Sequence, residues 1–226
     1  MEFYFVLVRP SLPENIGATA RALKTMGFNK LRLVKPCDHL SINAIKLAHG
    51  SKEILENAQV FENLKDAIED VDFVIGTSAK HRRVKFDYYS IDKIPEILEN
   101  KKNFLNKCAI LFGCEEYGLT NEELSLCHII SYIPMATKYP SLNLSHAVNI
   151  YAHRLFYFKN KNRFNSKIFS KKNSESFKEL YKRVEKFLIK KGMTNTTLRN
   201  RILEKLAVLG NDDLKLIFSL LKYLDK

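Results

Sequence analysis

FYFVLVRPSLPENIGATARALKTMGFNKLRLV, residues 3–34, decides the fold class. Its first six residues form an unbroken run of apolar, largely aromatic and β-branched types, and Pro10 and Pro13 end that run in a turn. A run so short and so apolar reads as a buried strand. Asn15 then stands where it can cap a helix, and Ile16, Ala20, Leu23 and Met26 recur on one face until Gly27 supplies a stop. LRLV (31–34) resumes as a strand. Strand, helix and strand in this order, with strands apolar at every position, predict a parallel sheet covered on both faces.

The alternation continues outward. A helical stretch over 41–57 and the helix NLKDAIEDV (63–71) precede the strand DFVIGTS (72–78) and the polar loop KHRRVKFDYYS (80–90). PEILENKK (95–102) reads as a helix and CAILFG (108–113) as a strand. TNEELSLC (120–127) reads as a helix with Thr120 at its cap and Glu123 three residues on, the pattern of a capping box. HIISYI (128–133) is the last strand, and LNLSHAVNIYAHRLFYF (142–158) a long helix closing an α/β domain over 1–158. Residues 159–174 carry six basic residues and no acidic one, which marks a linker. Residues 175–226 hold three amphipathic segments punctuated by Gly192 and Gly210, with Thr194 or Asn195, and Asn211, as caps: a small helical module.

The charge is divided along the same boundary. Residues 1–150 hold 18 Lys+Arg against 18 Asp+Glu, whereas residues 151–226 hold 19 against 7, so the net charge of +12 is C-terminal. Clustered Lys and Arg on an otherwise neutral protein point to a polyanion, either nucleic acid or a membrane surface. A composition of 46% apolar residues excludes a disordered chain. No run approaches the roughly 18 apolar residues that a membrane-spanning helix needs. Glu2 and Arg9 fit no signal peptide, so the expected location is cytoplasmic. Cys37, Cys108, Cys114 and Cys127 lack CxxC spacing and read as buried thiols.

Several nucleotide and metal motifs are excluded. No GxGxxG occurs among the 8 glycines. Gly113 to Gly118 has the spacing of a phosphate-binding loop, but Leu119 and Thr120 stand where Lys and Ser/Thr are required. HExxH is absent, and His146 and His153 share a helical face without the spacing of metal ligands, so no metal site is expected. What remains is four strand ends rich in polar residues, Gly and Pro: NIGATAR, GTSA, FGCEEYGL and IPMATKYPSLNLSHA. In parallel sheets, loops at the carboxyl ends of the strands form the ligand crevice.

Three blocks in those loops, N-x-x-x-x-x-R (Asn15 to Arg21), F-G-x-E-x-x-G-L (Phe112 to Leu119) and I-P-M followed by S-L-N-L-S (Ile133 to Met135, Ser141 to Ser145), resemble the signature motifs of the SPOUT superfamily of RNA ribose methyltransferases, its TrmH class and TrmJ branch in particular. The resemblance runs from residue 3 to about 158 and more weakly into the helical tail. It implies a C-terminal trefoil knot, an obligate homodimer, S-adenosyl-L-methionine as methyl donor, and 2′-O-methylation of a tRNA pyrimidine at nucleotide 32 of the anticodon loop. Ribosomal RNA, another tRNA position, or a catalytically silent RNA-binding dimer are the alternatives.

Residue by residue, the resemblance implies that Thr77, Ser78, Ala79, Phe112, Gly113, Gly118, Ile133, Met135, Ser141, Leu142 and Asn143 hold the donor. It assigns Arg21, Asn15, Glu115, Ser141 and Asn143 to catalysis. A guanidinium is a poor base, so Arg21 is expected to stabilise the negative charge that grows on the ribose 2′-oxygen. Glu115 is expected to orient Arg21 or the substrate. Asn15 has a second reading as a helix cap, as Ser141 and Asn143 do at the start of the long helix. Cys114 replaces the arginine found in many TrmJ relatives. Arg82, Arg83 and Lys85 are candidate RNA phosphate contacts, and the linker from Lys159 to Lys172, with Phe164 and Phe169, is another. Methyl transfer from a sulfonium needs no divalent ion, and none is expected.

Overall fold

The computed structural model describes residues 1–226 except 83, 86, 138–141, 165–176, 194 and 225–226. Seven strands form one sheet in the order β3-β2-β1-β6-β4-β7-β5, every neighbouring pair parallel. The strands are β1 (Glu2–Val8), β2 (Leu31–Val34), β3 (Gln59–Phe61), β4 (Phe73–Thr77), β5 (Tyr88–Ser90), β6 (Lys107–Phe112) and β7 (Ile129–Tyr132). β1 and β6 lie at the centre, paired from Glu2 opposite Lys107 to Leu7 opposite Phe112. The edge strands β3 and β5, three residues each, carry no apolar run and are invisible in the sequence pattern.

Each central strand is apolar throughout because its two faces bury in two cores. Phe3, Phe5 and Leu7 face one side, together with Phe73, Ile75, Ile110 and Phe112. Tyr4, Val6 and Val8 face the other, with Val74, Ala109, Leu111 and Ile130. The first core is covered by α1 (Pro13–Thr25), α2 (Ile42–Ala48), α3 (Lys52–Glu56), α5 (Ile94–Glu99) and α7 (Leu144–Phe164); the second by α4 (Leu64–Ala67) and α6 (Asn121–Ser125). Helices α1 and α2 approach so closely that a Cβ on Gly17 would stand 2.0 Å from the Ala44 carbonyl oxygen, so only glycine fits there. Gly27, at φ +73°, ends α1 as expected.

Helix α7 continues to Phe164, six residues into the segment read as a linker. The residues from there to 176, Phe169 included, lie outside the described ones. The tail forms α8 (Phe177–Lys190), α9 (Thr196–Leu206) and α10 (Asn211–Leu224), with Asn195 capping α9 through its side-chain oxygen. These helices share the first core. The Phe177 ring meets Phe73 and His128 at 5.3 and 5.4 Å, and Phe104 stacks on Phe218 at 5.7 Å. Fully buried Lys101 donates to the carbonyls of Leu206 and Leu209 at the end of α9, at 3.1 and 2.5 Å. Burial pulls its pKa down to about 7.

Candidate active site

The connection leaving β1 grows the sheet toward β2, and that leaving β6 grows it toward β7, on opposite faces. β1 and β6 are therefore the switch point of the sheet, where the loops after adjacent strands part and where parallel sheets form their ligand crevices. Arg9 closes β1 in the left-handed region at φ 52°, its N–H donating to the Val34 carbonyl at 2.8 Å. Its guanidinium pairs with Glu123, which also completes a capping box with Thr120 on α6. The start of the next loop is thus fixed between β2 and α6.

That loop wraps around Glu115. The Ser11 N–H and hydroxyl donate to one carboxylate oxygen at 2.9 and 2.8 Å, and the Asn15 amide donates to the other at 2.7 Å, with the Leu12 N–H at 3.4 Å. The Asn15 carbonyl oxygen in turn accepts from the Asn143 amide at 2.8 Å. Asn143 is held by Ser145, whose N–H and hydroxyl donate to it at 2.9 and 2.7 Å. One hydrogen-bonded chain therefore joins the β6 loop, the first turn of α1 and the start of α7, across more than 100 residues of sequence.

The helix-cap reading of Asn15 is overturned. Extended Leu12 is the N-cap, Pro13 opens α1, and no side chain caps it. This releases the Asn15 side chain to bridge Glu115 and Asn143. Asn143 does serve the start of α7, its side-chain oxygen accepting from the Ser145 N–H, as its reading as a cap expects. Desolvation pushes the Glu115 pKa up, but the hydrogen bonds from Asn15 and Ser11 outweigh it and hold the carboxyl below its ordinary value. An ionised carboxylate thus sits beside the N-terminus of α1.

The Glu115 loop is tightly folded. A Cβ on Gly113 would lie 1.9 Å from the Gly118 carbonyl carbon, Gly118 itself is at φ +71°, and its N–H donates to the Cys114 carbonyl at 2.9 Å. Phe112 is buried between Phe5 and Tyr151, so its ring belongs to the core and leaves only its backbone for a ligand. On neighbouring β4, the Thr77 hydroxyl donates to the Leu111 carbonyl at 2.8 Å, and the Ser78 N–H to the Ser131 carbonyl at 3.0 Å. Ala79 is exposed, whereas Ile133, Met135 and Leu142 are half-buried. The loops after β4, β6 and β7, three adjacent strands, thus offer backbone groups, half-buried apolar side chains and one carboxylate to an amphipathic cation.

Arg21 stands apart from this network. It lies on α1 six residues beyond Asn15, exposed, and its guanidinium has no hydrogen-bond or ion-pair partner among the described residues. Glu115 accepts from residues 11–15 and not from Arg21, which corrects the expectation that it orients the arginine. Ser141 and Arg83 lie outside the described residues. Arg82 donates to the Tyr117 carbonyl at 2.8 Å and so ties one loop to another instead of standing free for phosphate. Lys85 lines a narrow crevice with Asp87, His128 and Glu204, under the tail helices. Ser11 and Ser145 were not singled out from the sequence; Ser145 closes the S-L-N-L-S block, but nothing in the spacing marks Ser11.

The sequence model of the SpoU rRNA Methylase family matches residues 2–153. The chain belongs to this family. Escherichia coli LasT, an uncharacterized tRNA/rRNA methyltransferase, is 44% identical over 157 residues, 69% of this chain and 68% of LasT. TrmJ of Sodalis glossinidius, a tRNA (cytidine/uridine-2′-O-)-methyltransferase, is 40% identical over 155 residues, 66% of this chain but only 58% of that protein. Among solved structures, a probable methylase family protein from Haemophilus influenzae superposes with a TM-score of 0.67 at 30% identity, over 99% of this chain and 95% of its own. The SpoU methyltransferase AviRb of Streptomyces viridochromogenes, in complex with AdoMet, shares the fold at a TM-score of 0.57 and 21% identity, over 71% and 62%. The SPOUT, TrmJ-like resemblance read from three sequence blocks is borne out.

Proposed function

We propose that this protein methylates the ribose 2′-hydroxyl of tRNA, using S-adenosyl-L-methionine, at the pyrimidine of nucleotide 32 in the anticodon loop. The observation that carries the reading is the Glu115–Asn15–Asn143 chain, which unites residues from all three family blocks at the switch point of the sheet. The 40% identity to a cytidine/uridine tRNA methyltransferase supports the substrate. The basic tail supports an RNA partner: Lys178, Lys182, Lys186 and Lys190 climb α8 at four-residue spacing and form no ion pair among the described residues.

Bound S-adenosyl-L-methionine supplies a methyl group on a sulfonium that leaves as a neutral thioether. Its holders are the backbones of Thr77–Ala79, Phe112, Gly113 and Gly118 and the side chains of Ile133, Met135 and Leu142, with Ser141 and Asn143 as hydrogen-bonding partners. Glu115 supplies negative charge near the cationic donor and fixes Asn15. Asn15 and Asn143, locked by each other, position the ribose. Arg21, with its guanidinium uncommitted, stabilises the oxygen as the hydroxyl proton passes to solvent water, an interaction stronger in the transition state than in the ground state. A homodimer, the trefoil knot and a cytoplasmic location complete the proposal, on the strength of the family resemblance.

Incubation with methyl-labelled donor and separate pools of tRNA and rRNA tests the reading. Label is expected in tRNA without added metal. Label in rRNA alone moves the substrate, and label in neither overturns the activity.

A further inference from the structure

Tyr117, in the loop between β6 and α6, presents a ring that is 67% exposed. Single exposed aromatics are ordinary on protein surfaces, but the backbone beneath this one is held from several sides. The Gly118 N–H bonds to the Cys114 carbonyl, and the Cys114 thiol lies 3.8 Å from the Gly118 carbonyl oxygen. Arg82 donates to the carbonyl of Tyr117 itself at 2.8 Å. The backbone of Arg82 is clamped in turn by the Tyr88 hydroxyl, which accepts from its N–H at 2.9 Å and donates to its carbonyl at 2.6 Å, while the Tyr88 ring stacks on His81 at 4.0 Å. Two residues before Tyr117, Glu115 anchors the same loop to the Asn15–Asn143 bridge. The ring therefore projects from a preorganised loop beside the candidate site, and little conformational freedom is lost when something packs on it.

We propose that Tyr117 is the stacking platform for an unpaired base of the RNA substrate, next to the ribose that enters the Glu115–Asn15–Asn143 site. The inference rests on the RNA methyltransferase reading and adds a residue that none of the three family blocks singles out. Loop nucleotides of an RNA leave the helical stack when a ribose is drawn into a protein crevice, and a base so exposed finds its replacement partner in an aromatic face. Every base has such a face, so Tyr117 contributes affinity and positioning rather than base choice. The neighbouring Glu116 carboxylate pushes the phenol pKa up, so the ring stays neutral.

The test uses the full chain, Tyr117→Ala and Tyr117→Phe, with an RNA anticodon stem-loop carrying 2-aminopurine in the loop, read by fluorescence on binding and by methyl transfer. Wild-type protein is expected to quench the probe. Tyr117→Ala should lose the quench and raise KM for RNA about tenfold, with kcat, donor binding and melting temperature within twofold or unshifted, and Tyr117→Phe should restore both binding readouts. A Tyr117→Ala protein that quenches and binds like wild type overturns the stacking role and leaves methyl transfer standing. Quenching without methyl transfer by the wild type removes the enzymatic reading and leaves the stacking role standing.

Discussion

The two ends of the sheet treat charge in opposite ways. At the amino ends of the strands, buried Arg32 donates to both oxygens of Asp70 at 2.7 and 3.1 Å, to the Ala67 carbonyl and to Gln59, and lies 4.0 Å over the Tyr4 ring. Lys107 pairs with the same Asp70 at 2.6 Å, and Lys24 with Glu53. Hydrogen bonding to Arg32 above all holds the Asp70 carboxyl far below its usual range. At the carboxyl ends, Glu115 is held by hydroxyl, amide and backbone N–H groups, while the guanidinium of Arg21, six residues along α1 from Asn15, has no partner among the described residues. A groove of about 730 Å³ opens at the amino end. Room alone therefore does not mark the site: ion pairs line the amino end, whereas at the carboxyl end, beside the Arg9–Glu123 pair, Glu115 is fixed by neutral partners and stays available for chemistry.

The largest effect that sharpens this contrast is on turnover. Arg21→Ala should lower kcat for methyl transfer about 100- to 1,000-fold, the scale of losing one preorganised charge-stabilising donor. Melting temperature and donor binding should stay unchanged, because the side chain supports nothing in the fold. Arg21→Lys should recover little, since an ammonium lacks the planar fork. A loss under tenfold for Arg21→Ala would leave the free guanidinium without a chemical role.

At the other end the sign of the result reverses. Asp70→Asn leaves Arg32 buried without its anion and should cost about 2 kcal/mol in urea unfolding, below the range for fully buried pairs because Asp70 is half exposed. Activity per folded molecule should not change. A parallel fall in kcat would mean that the two ends are coupled.

Smaller again is the coupling across the site. A double-mutant cycle with Asn15→Ala and Asn143→Ala, read in kcat/KM, should return about 1 kcal/mol of interaction, the value of one amide hydrogen bond. Additive losses would mean that the bridge does not act as a unit.

The smallest effect is on acid stability. The folded pKa of Glu115 is depressed, so its contribution is fully present above the ordinary carboxylate value near 4.5 and is lost as pH falls through the folded value. Glu115→Gln should flatten that part of the stability curve, and an unchanged acid limb would remove Glu115 from the linkage.

Most of the fold was legible because its strands are apolar on both faces, a signal that survives in FYFVLV, DFVIGTS and CAILFG without context. The capping box at Thr120 and the stops at Gly27 and Gly192 were readable for the same reason, being fixed by local geometry. The edge strands were not, because three residues carry no period. The partner of Asn15 was hidden as well. Local rules offered it a cap, and only the return of β6 beside β1 brings Glu115 within 2.7 Å of it. The packing of the tail helices against Phe73, Phe104 and Lys101 was equally invisible, since amphipathic periodicity shows a buried face but not what buries it.

Nucleotide-resolved mapping of 2′-O-methylation in tRNA, after incubation with S-adenosyl-L-methionine and either wild-type protein or Arg21→Ala, tests the switch-point site most directly. The expected result is a new ribose methyl in the anticodon loop with the wild type and none with the variant. An equal methyl signal from both proteins, or a methyl placed on a base, would contradict the account.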